Sequence, residues 1–197
     1  MKRLYLETNF VIGRAFEQYT VDPAILTTAQ NVGAEIALPA ICLLESLQTV
    51  QRYRITTKQF GDAIQKKLQE LREDQSPTSV KLKISLNSAV LENGILADER
   101  DARIQAVVQS LSNARLFEID HQTATKALLA PIIARGVADN LILYAILDDA
   151  TTTPASDMAF FTLNVSDFAG AAAVASLQGA DIALLKDSQS ALMWLRT

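Results

Sequence analysis

With only one cysteine, Cys42, the 197-residue chain has no internal disulfide and no multi-cysteine metal site open to it. Glycine, at 7 residues, and proline, at 5, are too sparse for a low-complexity linker. No glycine-rich phosphate loop or dinucleotide fingerprint occurs, and no internal repeat stands out. The longest apolar runs, such as Leu141 to Leu147, are far too short to cross a bilayer. The start Met1-Lys2-Arg3 resembles an export signal, but Glu7 interrupts the apolar stretch after Leu4-Tyr5-Leu6, so a cytoplasmic protein is expected. Net charge is −4, and the isoelectric point near 5.0 argues against a strongly basic grip on nucleic acid. Acids gathered around bound cations would reverse that field locally.

What remains is an ordinary globular mixture, 49% hydrophobic and 20% charged, long enough for one domain with a well-buried core. Leu4-Tyr5-Leu6 reads as a short buried strand, and Thr8 to Gln18 as a helix with apolar residues at 11, 12, 15 and 16. Asp22-Pro23 starts a second helix that Gly33 ends. Residues 35–38 suit a second strand, with Pro39 in the first turn of a helix running to about Tyr53. Residues 56–112 read as helical throughout, broken at Ser76-Pro77, with stripes at Ile64, Leu68 and Leu71 and at Ile104, Val107, Val108 and Leu111. Residues 116–119 form a third strand, followed by a helix over 122–135 closed at Gly136 and a buried helix over 139–148. Strands over 160–163 and 182–185 and a last helix through Trp194 complete the chain. Strands separated by helices predict an α/β fold, a three-layer sandwich with a mainly parallel sheet of about five strands. The 56–112 segment is too long for a simple crossover and is expected as a helical arm inserted in a single domain spanning 1–197.

In open parallel sheets ligands gather beyond the carboxyl ends of the strands. Glu7 follows the first strand, Asn164 and Asp167 follow the fourth, and Asp139 opens a helix. Glu45 sits among aliphatics in Ile41-Cys42-Leu43-Leu44-Glu45-Ser46-Leu47, where an unpaired charge is costly. Each has a plain structural alternative. Asp139 would cap its helix, Glu7 would sit in the first turn under the helix dipole, Asp167 would belong to a turn, and Glu45 would face solvent. No lysine or arginine lies within three residues of Glu7, Asp139 or Asp167 in sequence; Arg3 and Arg135 stand four residues before Glu7 and Asp139. Two carboxylates about 4 Å apart repel by roughly 4 kcal/mol at an effective dielectric near 20. Several in one cleft therefore raise one another's pKa or recruit a cation, and oxygen-only ligands favour magnesium or manganese.

Four segments resemble the PIN-domain nucleases. Leu4-Tyr5-Leu6-Glu7-Thr8-Asn9-Phe10-Val11-Ile12 is similar to that family's opening strand and helix, and 38–45, ending in Glu45, to its second motif. Asp139-Asn140-Leu141-Ile142-Leu143-Tyr144-Ala145 resembles the third and 161–168 the fourth. The resemblance implies a metal-dependent endoribonuclease in which Glu7, Glu45, Asp139 and Asp167 hold Mg2+ or Mn2+. It casts Thr8 and Thr162 as hydroxyls near the metal or scissile phosphate, Asn9 as a tie within the first loop, and Asn164 as a further polar residue there. RNA would be the substrate. An antitoxin protein and a homo-oligomer are the partners it suggests, with no membrane. The family usually has Asp where Glu7 stands, and many members have Asp at the position of Asn164. A PIN-like module that binds nucleic acid or protein without turnover is the alternative.

The only histidine, His121, follows Asp120 near a helix start, where capping or surface exposure suits it, and no serine motif of the nucleophile-elbow type accompanies it. Cys42 reads as a small buried hydrophobe. The spacing of Phe10, Phe16 and Tyr19 suggests core packing. Arg52 and Arg54, Lys66 and Lys67, Lys81 and Lys83, and Arg100 and Arg103 suit either a solvated helix face or contact with RNA phosphates.

Overall fold

The computed structural model describes residues 1–17, 21–134, 136–153 and 155–197. Gln18, Tyr19 and residue 135, where expectations about helix ends and packing fell, lie outside them. Strand β1 (Lys2–Tyr5) runs into the buried Leu6 and Glu7, and Glu7 caps α1 (Thr8–Ala15). Helix α2 (Ala24–Asn31) follows, with the Asp22 carboxylate accepting from Ala24 N at 2.7 Å. Gly33, at φ +68°, turns the chain into β2 (Glu35–Pro39). Pro39 is the last residue of that strand rather than part of a helical turn.

Beyond it α3 (Ala40–Glu70) continues without interruption past Tyr53, because its 31 residues include no proline and only Gly61 as a weak point. Ser76 then caps α4 (Pro77–Ser110), where the Ser-Pro break was expected. The two helices pack along each other, joined by the Arg54–Asp101 ion pair and by Asn93 Nδ2 donating to Thr57 O. Their outer portions project as an arm.

Strand β3 (Arg115–Phe117) is shorter than expected and leads to α5 (His121–Leu129), capped by Asp120. This helix stops well before residue 135, since Pro131 has no N–H to continue it. Gly136 therefore does not close α5. At φ +111° it precedes α6 (Val137–Thr152), longer at both ends than 139–148. Strand β4 (Asp157–Phe161) begins earlier than expected, then come α7 (Val165–Phe168), α8 (Ala171–Gly179), β5 (Ile182–Leu185) and α9 (Ser188–Arg196).

The five strands form one all-parallel sheet in the order β3-β2-β1-β4-β5. Right-handed crossovers place α1 to α4 on one face and α5 to α8 on the other, giving the expected three layers. Helix α2 packs with α9, and α6 with α5 and α8. The core joins Leu4, Tyr5 and Leu6 to Phe10, Leu38, Leu143, Phe160 and Phe161, with Cys42 fully buried among them. Phe10 stacks edge-on against Phe161, and Phe16 lies half-buried against Tyr53. The order of strands reverses direction between β1 and β4, which opens a crevice at their carboxyl ends. Among the described residues no helix is long and apolar enough to cross a membrane.

Candidate functional site

The crevice is a cleft of about 250 Å³ lined by Glu7, Thr8, Glu45, Arg52, Asp139 and Asn164, among others. Each side chain arrives from a different element for a local reason. Glu7 is the residue between β1 and α1, in extended backbone, so its carboxylate meets the exposed N–H groups of the helix start. Glu45 lies one turn into α3. Asp139 occupies the first turn of α6, where the helix dipole favours an anion. It makes no capping bond to its own helix, so the simple cap reading is not realised.

A chain of hydrogen bonds fixes the cleft's wall. Glu7 accepts from Asn9 N at 2.7 Å, from Thr162 Oγ1 at 3.2 Å and from Leu163 N at 3.4 Å. Thr162 Oγ1 accepts from Asn164 N at 2.9 Å, and Asn164 Nδ2 donates to Asp139 Oδ1 at 3.2 Å. Glu7 and Asp139 are thus linked through Thr162 and Asn164. Beside Glu7 in the cleft lining, Thr8 Oγ1 donates to Glu45 Oε2 at 2.5 Å. Asn9 contributes its backbone to the first loop. Asp167, in α7, faces an adjoining hollow of about 330 Å³ lined by Ser166 and Ile132. It is near enough to Asp139 to raise that residue's pKa.

Burial holds Glu7 well above the carboxylate range, up to about 7, against the pull of its three donors and with a further push from Asp139. Asp139, half-buried, is raised first by burial, then by Asp167 and Glu45. Among the described residues no lysine or arginine forms an ion pair with Glu7, Glu45, Asp139 or Asp167. The side-chain groups are all oxygen ligands, the kind of set a hard divalent cation takes. The side chains nonetheless stand apart: among the described residues no three carboxylate, histidine or cysteine groups are close enough to hold one ion.

The amino ends of the strands carry the opposite arrangement. Arg3, buried, donates to Glu35, to Thr153 O, to Tyr5 Oη at 3.3 Å and to Asp149 at 3.5 Å. Arg115 grips both oxygens of Asp149 at 2.6 and 2.7 Å and reaches Glu35 at 3.1 Å, while Tyr5 Oη donates to Asp149 at 2.7 Å. Sequence reading passed over this network. An arginine next to a buried strand was the signal that an acid must meet it. It also passed over Asn140, whose amide accepts from Ile132 N and Ile133 N and donates to Ile133 O and Gly136 O, so that it ties down the loop before α6. Arg52, one of several basic residues on the arm, is the one that reaches the cleft. The others have local partners or face solvent: Arg100 lies over the Phe16 and Tyr53 rings, and Arg103 pairs with Glu17 and Glu99. His121 is exposed at the start of α5.

Comparison with family models, curated proteins and solved structures finds no match to this chain.

Proposed function

We propose that the chain is a PIN-like, metal-dependent endoribonuclease that works in the cytoplasm, with Mg2+ or Mn2+ held by Glu7, Glu45, Asp139 and Asp167. One observation carries the reading. Acids from three distant parts of the chain line one cleft at the strand order's reversal, and among the described residues none of them is in an ion pair, while the acids at the opposite end of the sheet are locked to arginines. Two of them, Glu7 and Asp139, are raised by burial and by a neighbouring acid, and perturbed carboxylates in a cleft are a functional arrangement more often than a structural one.

A divalent ion there would supply an activated water and charge stabilisation for cleavage of a phosphodiester bond. The chain's own part is positional. Thr162 and Asn164 hold Glu7 and Asp139 in place, Thr8 orients Glu45, and Arg52 offers a positive charge at the rim for a phosphate. An antitoxin that covers this cleft is part of the same proposal.

Asp139→Asn keeps the oxygen that accepts from Asn164 but removes a charge. It should abolish RNA cleavage in magnesium or manganese, and it should remove the rise in melting temperature that millimolar manganese gives the parent protein. Cleavage at the parent rate by this variant sinks the catalytic assignment. A second reading, a binding module without turnover, draws on the occupied oxygens of Glu7 and the separation of the acids. A manganese-induced melting shift with no turnover of any RNA would favour it.

A further inference from the structure

Helix α9 turns Gln189, Leu192, Met193 and Arg196, which share one helical face, into a surface groove of about 730 Å³. Arg14 of α1, and Val21 and Pro23 ahead of α2, line the same groove. It shares no lining residue with the acid cleft. Val21 and Leu192 are buried and Met193 is 61% exposed, so an apolar strip lies between Gln189 and Arg196.

The two guanidiniums in this groove lack what the other arginines have. Among the described residues, Arg14 and Arg196 are the only arginines whose side chain makes no hydrogen bond, ion pair or aromatic contact within the chain. Arg14 is half-buried, and no other buried or half-buried basic side chain among the described residues goes unpartnered. Withdrawing a cation from water without a partner is costly. Two acids border the groove, yet each is engaged elsewhere: Glu17 pairs with Arg103 at 3.2 Å, and Asp22 accepts from Ala24 N at 2.7 Å.

We propose that the groove binds a nucleoside 5′-monophosphate, with Arg14 and Arg196 on the phosphate and Gln189 on the base. A guanidinium offers paired N–H donors to a phosphate or a carboxylate. Two of them on one ligand call for close to two negative charges, which a phosphomonoester carries at neutral pH and a single carboxylate does not. Gln189 stands seven residues before Arg196, about 10 Å along α9, and its amide offers a base edge both a donor and an acceptor. Met193 between them gives the face of the base a polarisable apolar contact. The inference does not rest on the proposed nuclease activity.

Calorimetric titration of the full chain with AMP, GMP, CMP and UMP in a chelating buffer tests it. At least one of the four binds, with a Kd on the order of 10–100 µM. The matching nucleoside, which has no phosphate, binds at least 10-fold more weakly. Arg196→Gln, at an exposed helix end, weakens the nucleotide at least 10-fold with an unchanged melting curve, and Arg14→Gln weakens it as much. Gln189→Ala weakens the nucleotide but not inorganic phosphate. Arg72→Gln, on the arm, changes nothing. No binding of any of the four at 5 mM, binding indifferent to both arginine variants, or a hexaglutamate peptide held as tightly as the nucleotides each overturns the proposal.

Discussion

Glu7 is held by three hydrogen-bond donors and still keeps its proton up to about pH 7, because burial in the core outweighs them. Its folded-state pKa lies above the unfolded value, so its contribution to stability is fully present below about pH 4.5 and is lost as pH rises through about 7. Asp139 shifts in the same direction. For Glu7 alone the loss is of the order of 3 kcal/mol. The metal-free protein should therefore melt about 5–10 °C lower at pH 8 than at pH 5. Scans in a chelating buffer check this, and a melting temperature flat or rising across that range contradicts it. Glu7→Gln should flatten the slope. A divalent ion stabilises the ionised form, so the melting shift it produces should grow with pH.

Among the elements, α6 depends most on how it begins. Gly136 sits at φ +111°, and a Cβ there would collide with the Asp139 carboxylate. Gly136→Ala should cost about 1–3 kcal/mol and displace Asp139 from the cleft. It should show as a lower melting temperature together with a weakened manganese response, whereas Gly33→Ala, beside open space and away from the cleft, should lower stability only. The elements also differ in how far they could be read in advance. Strand β5 falls where its apolar run predicts, and Glu7 stood out because it follows an apolar strand directly, Asp139 because it opens a helix and Glu45 because its neighbours are aliphatic. Helix α8, Ala171 to Gly179, is rich in alanine and lacks an apolar stripe on a polar ground, so periodicity gave no sign of it. The helix to Tyr53 and the helical stretch from Thr56 were both legible, but that they are one continuous α3 was not, because nothing marks where a packed helix turns into an exposed one. Pro131 was a legible stop for α5, yet Gly136 drew the boundary past it. Hydrogen bonds such as Thr162 to Glu7 join residues far apart in the chain and leave no local trace.

Across the whole molecule the two ends of the sheet are electrostatic opposites. Asp149, near the far end of α6 from Asp139, is nearly buried and holds Arg3, Arg115 and Tyr5 together across β1, β3 and α6. Asp149→Ala strands a buried arginine, so it should destabilise the fold by about 3–5 kcal/mol in denaturant titration. The melting shift caused by manganese should survive it, since the cleft lies at the other end. A loss of stability under 1 kcal/mol would show that the network is dispensable. The sheet's connectivity has a kinetic consequence as well. β1 is central but leaves the ribosome before the other strands, and its neighbour β4 must be synthesised before the crevice between them can close. Such distant pairing is slow to form. The repelling acids are thus brought together late, when most of the hydrophobic interior is already in place to bear the strain of their proximity.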